Sequence, residues 1–171
     1  SLRTSCHSPL ISTAELERLI LHDKALENDT KGYREAINID RNEARNKKRR
    51  LPAICPSVQF RRTGRKLEDF GCATGWLMLD YDHVAEIGLD EKVELASKSP
   101  YSMVVYRTIS GKGLRILLRY ERPKGCTLTV TELHHLAVEK AISIYDDLLH
   151  ISADQQCKDM VRLCGLAHDA K

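Results

Sequence analysis

At 171 residues the chain is long enough for one domain that buries a real core without disulfide or metal staples. Charged residues at 30% against 42% apolar ones exclude a disordered tail and a membrane-embedded class, and no apolar run approaches the span of a bilayer. The net charge is only +3, but it is unevenly laid out: Arg41 to Lys66 holds ten Lys or Arg and a single acid, Glu43.

The N-terminal stretch SLRTSCHSPLIS lacks the charged-then-apolar pattern of an export signal, so a cytoplasmic protein is expected. Ser12 and Glu15 form a capping-box pair ahead of ELERLILHDKALEN, which predicts an amphipathic helix. A second helix is expected from near Lys31, continuous through the basic run and ending before Pro52. A strand-like piece follows around Cys55 to Phe60, and then a turn rich in glycine and charge. WLMLDYD predicts a strand that emerges at Asp80-Tyr81-Asp82, and a short helix is expected over about Asp90 to Ser97. YSMVVYRTI and LRILLRY, joined by Ser110-Gly111-Lys112-Gly113, read as a β-hairpin. Thr129 and Glu132 form another capping box, opening a helix over Val130 to Leu149. The last stretch, ISADQQCKDMVRLCGLAHD, mixes a strand-like start with a polar segment. Strands alternating with helices, with at least one hairpin, predict an α/β or α+β domain on a mixed sheet.

Six cysteines form no C-x-x-C pair and no ligand-like cluster, which argues for reduced thiols and against zinc. The basic block has the density of a phosphate-backbone binder, and Lys47, Lys48, Arg49, Arg50, Arg61 and Arg62 are its candidate nucleic-acid contacts. The competing reading is a solvated helix face. Asp80 and Asp82 are two residues apart on one strand and therefore share a face. Two carboxylates about 4 Å apart at an effective dielectric near 20 repel by roughly 4 kcal/mol. Solvent, a protonated partner or a divalent cation could relieve that, and carboxylates suit Mg²⁺ or Mn²⁺. In the turn, the glycines allow close approach of a ligand, while Lys112 and Arg115 carry phosphate-directed charge. No Walker A pattern is present. His134 and His135 fall on a helix and read as core or surface residues.

Taken together, KKRRLPAICPSVQF, LMLDYD, ISGKGLRILLRY and ISADQQCKDMVRLCGLAHD resemble, in that order, the N-terminal domain of virulence-associated protein E-like bacterial proteins. That resemblance implies the archaeo-eukaryotic primase superfamily, with a primase-like mixed or antiparallel sheet flanked by helices. It further implies a single domain over 1–171, of a kind that often forms the front part of a longer primase-helicase protein of mobile elements. The implied activity is metal-dependent nucleotidyl transfer on a single-stranded DNA template, with Mg²⁺ or Mn²⁺, nucleoside triphosphates and a helicase domain or subunit as partners, and no membrane. Asp80, Asp82 and Asp154 match the metal-holding catalytic acids. Ser110, Gly111, Lys112, Gly113, Arg115 and Arg162 match the nucleotide-binding positions. The resemblance also implies a histidine where this chain has Arg115, which supports nucleotide binding better than polymerisation. A DNA-binding module without catalysis is the alternative. On the enzymatic reading, Asp80→Ala is expected to remove activity and leave the fold intact.

Overall fold

The computed structural model of the chain describes residues 10–61 and 66–170. Helix α1 (Thr13–His22) starts on the capping box, with the Ser12 hydroxyl and the Glu15 side chain exchanging bonds with each other's backbone. The long first helix expected from the periodicity is divided at Asp23, which ends α1 and caps α2 (Lys24–Ala36) by accepting from Leu26 N–H at 2.7 Å. The second expected helix is divided in the same manner. Asp40 accepts from the N–H of Asn42 and of Glu43 and opens a separate α3 (Arg41–Arg50). In both places a mid-run aspartate acts as a cap.

Among the described residues three small sheets follow, all antiparallel, and the fold is α+β. Strand β1 (Ala53–Ile54) pairs with β7 (Cys164–Gly165), and β2 (Val58–Phe60) pairs with β3 (Phe70–Ala73). The central sheet has the order β4-β6-β5, from β4 (Trp76–Tyr81), β5 (Ser102–Arg107) and β6 (Leu114–Arg119). Helix α4 (Leu89–Lys98) precedes β5, and α5 (Val130–Leu149) has the span its capping box predicts.

The register assigns each side chain a face. Leu77, Leu79 and Tyr81 of β4 lie opposite Leu118, Ile116 and Leu114 of β6, and they pack on α4 and α5 through Ala96, Val138 and Tyr145. The alternate residues Met78, Leu117, Val104 and Tyr106 pack on Leu16 and Ile20 of α1, Leu26 of α2 and the segment Cys164, Leu166 and Ala167. The sheet is thus a middle layer with apolar cover on both faces, each fully buried Leu or Ile contributing roughly 1.5–3 kcal/mol. On the second face the polar pair Asp80 and Arg115 terminates the apolar rows. No helix among the described residues is long and apolar enough to cross a membrane.

One core residue gives the fold a pH limit. His134 on α5 is fully buried; its Nδ1 meets the Tyr120 hydroxyl at 3.2 Å, and its Nε2 has no partner. Burial, then the neighbouring His135, push its pKa down to about 4, with Asp159 opposing. The folded chain therefore holds His134 neutral while the unfolded chain protonates it near 6.5. Stability is expected to fall as pH drops from about 6.5 towards 4, by on the order of 3 kcal/mol in all. Urea midpoints across that range, compared with His134→Leu, measure it: the variant should lose less.

Candidate functional site

The acids expected at the end of β4 have different surroundings. Asp80 is only 4% exposed, and it sits in one cross-strand row with Arg115 of β6 and Tyr106 of β5. Arg115 donates to it twice, Nε to Oδ1 at 3.3 Å and Nη2 to Oδ2 at 2.7 Å. The remaining Arg115 nitrogen donates to the Gly165 carbonyl at 2.7 Å, which also accepts from the Tyr106 hydroxyl at 3.0 Å. Burial alone would lower the Arg115 pKa, but Cys164, Tyr106 and Asp80 raise it above the ordinary value. Burial pushes both Cys164 and Tyr106 up, so neither brings a negative charge to Arg115 near neutrality. Arg115 is thus spent inside the protein, tying β4, β5 and β7 to β6.

Asp154 joins this cluster from the other side. Its N–H donates to the Asp80 carbonyl at 2.9 Å, which lays the short 3-10 turn Gln155–Lys158 along the free edge of β4. Its carboxylate caps that turn at Gln156 N–H and accepts from Arg162 Nη2 at 2.6 Å. The same Arg162 nitrogen stands 3.6 Å from Asp80, and its other arm donates to Gln156 at 2.6 Å. Asp80 and Asp154 therefore converge on one guanidinium. Cys157 lies against Asp80 and is no nucleophile there, because burial pushes its thiol up to about 11.

Asp82 is one step beyond β4 and exposed, so it shares neither arginine. The repulsion expected between the two strand-end aspartates is relieved by separating them: Asp80 turns to Arg115, Asp82 to water. The Ser110 to Gly113 turn packs directly beside this strand end. A Cβ on Gly113 would lie 2.3 Å from the Tyr81 carbonyl oxygen, a contact that only glycine avoids. Gly111 has φ +68° and rests against the Arg34 guanidinium. Ser110 Oγ accepts from Lys112 N–H, and the Lys112 carbonyl accepts from Val84 and Ala85 N–H, leaving the Lys112 side chain exposed.

Helix α3 carries most of the basic block. Ala44 is its only buried residue, seated on Tyr33 and Ala36 of α2 in a small cluster that also takes in Ile109 at the head of the glycine turn. Arg34 of α2 strengthens that joint by donating to the carbonyls of Ile109 and Thr108. Lys47 pairs with Glu43 at 3.5 Å; among the described residues Arg41, Arg45, Lys48, Arg49 and Arg50 have no ion-pair partner. Arg61 lies apart from the helix, at the end of β2, in a hairpin that packs on Met160. Arg62 is outside the described residues.

The family model described as "BT4734-like, N-terminal domain" matches residues 46–171. The chain belongs to that family. The match takes in the C-terminal half of α3, the whole sheet and every strand-end residue named above. It also corrects the resemblance drawn from the four sequence blocks, because this is a different family from the virulence-associated protein E-like domain, and nothing found ties the chain to the primase superfamily. No curated protein and no solved structure matches at a significant level.

For this BT4734-like domain, the fit to a divalent cation can be judged from its donors. Among the described residues no three Asp, Glu, His or Cys side chains are arranged to hold a metal ion, and both Asp80 oxygens already accept from arginine. As placed, the acids form a salt-bridge cluster in which Asp80 and Asp154 both accept from arginine. Sequence reasoning missed Arg34, Tyr106 and Gly165 as parts of this neighbourhood. An arginine two residues before the end of α2 carries no local signal for a carbonyl 75 positions away.

Proposed function

We propose that the chain binds nucleic acid through its phosphates, with α3 as the anchor and Lys112 and the outer arm of Arg162 as further contacts at the end of the sheet. One observation carries this reading: a helix of ten residues buries a single alanine and turns to solvent five cations that have no ion-pair partner among the described residues. Phosphate neutralisation supplies affinity without base contacts, and an arginine fork suits a phosphate better than a lone lysine does. Single-stranded DNA is the proposed ligand. The described cysteines are all free thiols, which supports a reducing, cytoplasmic setting. Fluorescence anisotropy with a labelled oligothymidylate tests the proposal. Affinity is expected to fall steeply with salt, at a log–log slope of about −3 or steeper, from about 0.7 per phosphate neutralised. Binding that ignores salt would sink it.

Metal-dependent nucleotidyl transfer is the second reading, favoured by the convergence of Asp80 and Asp154 on Arg162 with exposed Asp82 close by. It requires that a cation replace Arg162 between the acids. Binding of a labelled nucleoside triphosphate with and without Mn²⁺, on wild type and on Asp82→Asn/Asp154→Asn, separates the two. Manganese-dependent binding lost in the double variant would favour transfer; the expected outcome is binding that does not depend on manganese. This variant leaves the Asp80–Arg115 pair in place, so a change reports on the site and not on folding.

A further inference from the structure

The central sheet treats its two edges differently. Asp154 and the turn after it cover β4, whereas β5 is open over its middle. Thr108 N–H donates to the Gly113 carbonyl, and strand alternation from that bond turns the backbone groups of Tyr106 and Val104 towards β6. Those of Val105 and Arg107 point away. Arg107 N–H is met by the Asp169 carboxylate at 2.7 Å, while the N–H and C=O of Val105 have no partner among the described residues.

A cleft of about 250 Å³ opens along this edge. Glu17, Ile20 and Leu21 of α1 form one wall, Ser97 of α4 the other, and Met103 and Val105 its floor. Part of its apolar lining is exposed: Leu21 is 38% and Met103 42% exposed. The charge of the cleft has one sign. Its ionisable side chains are Glu17 and Asp169, no cation lines it, and Asp169 already pairs with Arg107. Glu17 has no ion-pair partner among the described residues, on a chain whose net charge is +3.

We propose that the β5 edge takes an extended peptide from a partner protein as an added strand, with an apolar side chain in the cleft and a lysine or arginine against Glu17. Main-chain bonds to Val105 would set the register, and the cleft and Glu17 would select the side chains. The β-bulge between Ser102 and Val104 interrupts the edge, a device that blunts unpaired strands, so the added segment is short and depends on its side chains. A second copy of this chain fits less well, since it would bring two acid-lined clefts together with no cation between them.

The test uses two labelled eight-residue peptides, one alternating valine with lysine and the other valine with glutamate. The Val105 amide is expected to exchange with solvent quickly in the free protein and at least tenfold more slowly with the lysine peptide. The glutamate peptide should have no effect, and Glu17→Lys should exchange the two preferences. Leu21→Glu, an exposed change with the fold checked by circular dichroism, should weaken the lysine peptide at least tenfold. Equal binding of both peptides overturns the proposal. So does a Val105 amide that is protected in dilute free protein, or one whose protection rises with protein concentration alone.

Discussion

Arg115→Met is expected to destabilise the chain by about 3–5 kcal/mol, because it leaves the Asp80 carboxylate buried without its counter-charge. Asp80 is 4% exposed, so water cannot take over the two bonds that Arg115 gives it. Among the described residues Arg162 is the only other cation in reach, at 3.6 Å, and Asp154 already holds it at 2.6 Å. For a chain of this size the loss corresponds to a fall in Tm on the order of 10 °C. Asp80→Ala is expected to be costly for the mirror-image reason, leaving a buried guanidinium unpaired, whereas the enzymatic reading of the sequence expects this substitution to leave the fold intact. The double variant Asp80→Leu/Arg115→Met should be far closer to wild type than the sum of Asp80→Leu and Arg115→Met, since it removes both charges together. Urea unfolding of the four proteins in the cycle measures the coupling. An Arg115→Met midpoint equal to wild type would mean that the pair contributes nothing to stability, and the row Asp80–Arg115–Tyr106 would lose its role as the tie between strands.

That row also explains what the sequence could and could not convey. Helix α5 and the β5–β6 hairpin are legible because their signals are local: a capping box, a period of 3.6, and two β-rich runs around Ser110-Gly111-Lys112-Gly113. The breaks at Asp23 and Asp40 are local too, but ambiguous, since an aspartate within a polar helix reads equally as surface or as cap. The partner of Asp80 is another matter. Arg115 is 35 residues away, and its role depends on the register of β4 against β6. Two residues past Gly113 it reads as part of a phosphate-facing turn; in the fold it is already inside a strand, with its side chain turned into the protein. Convergence of Asp154 on the same point was expressible from sequence only as an expectation, and here it rests on one backbone bond to the Asp80 carbonyl.

The second large effect concerns α3. Changing Lys47, Lys48, Arg49 and Arg50 together to glutamine is expected to lower the salt slope of oligothymidylate binding by about 3 and the affinity at 0.15 M salt by about two orders of magnitude. Both figures come from four phosphate contacts at about 0.7 each on a single strand, with the salt-independent part of binding left unchanged. Glutamine keeps nearly the helix propensity of lysine and arginine, so α3 should persist. A different role for these cations predicts a different result. They occupy the last turn of the helix, where positive charge complements the backbone dipole and typically contributes 0.3–1 kcal/mol per residue. If that were their whole purpose, the quadruple variant would unfold at lower urea yet bind with the wild-type slope. Lys140→Gln, an exposed change on α5, is the control and should alter neither quantity. The position of α3 gives the binding reading its geometric content: Ala44 and Arg34 couple the two helices to Ile109, and Ile109 leads directly into the glycine turn. On the proposed reading, a strand held by α3 would run towards Lys112 and the end of β4. On that basis Lys112→Gln should remove a further single contact, reducing the slope by about 0.7.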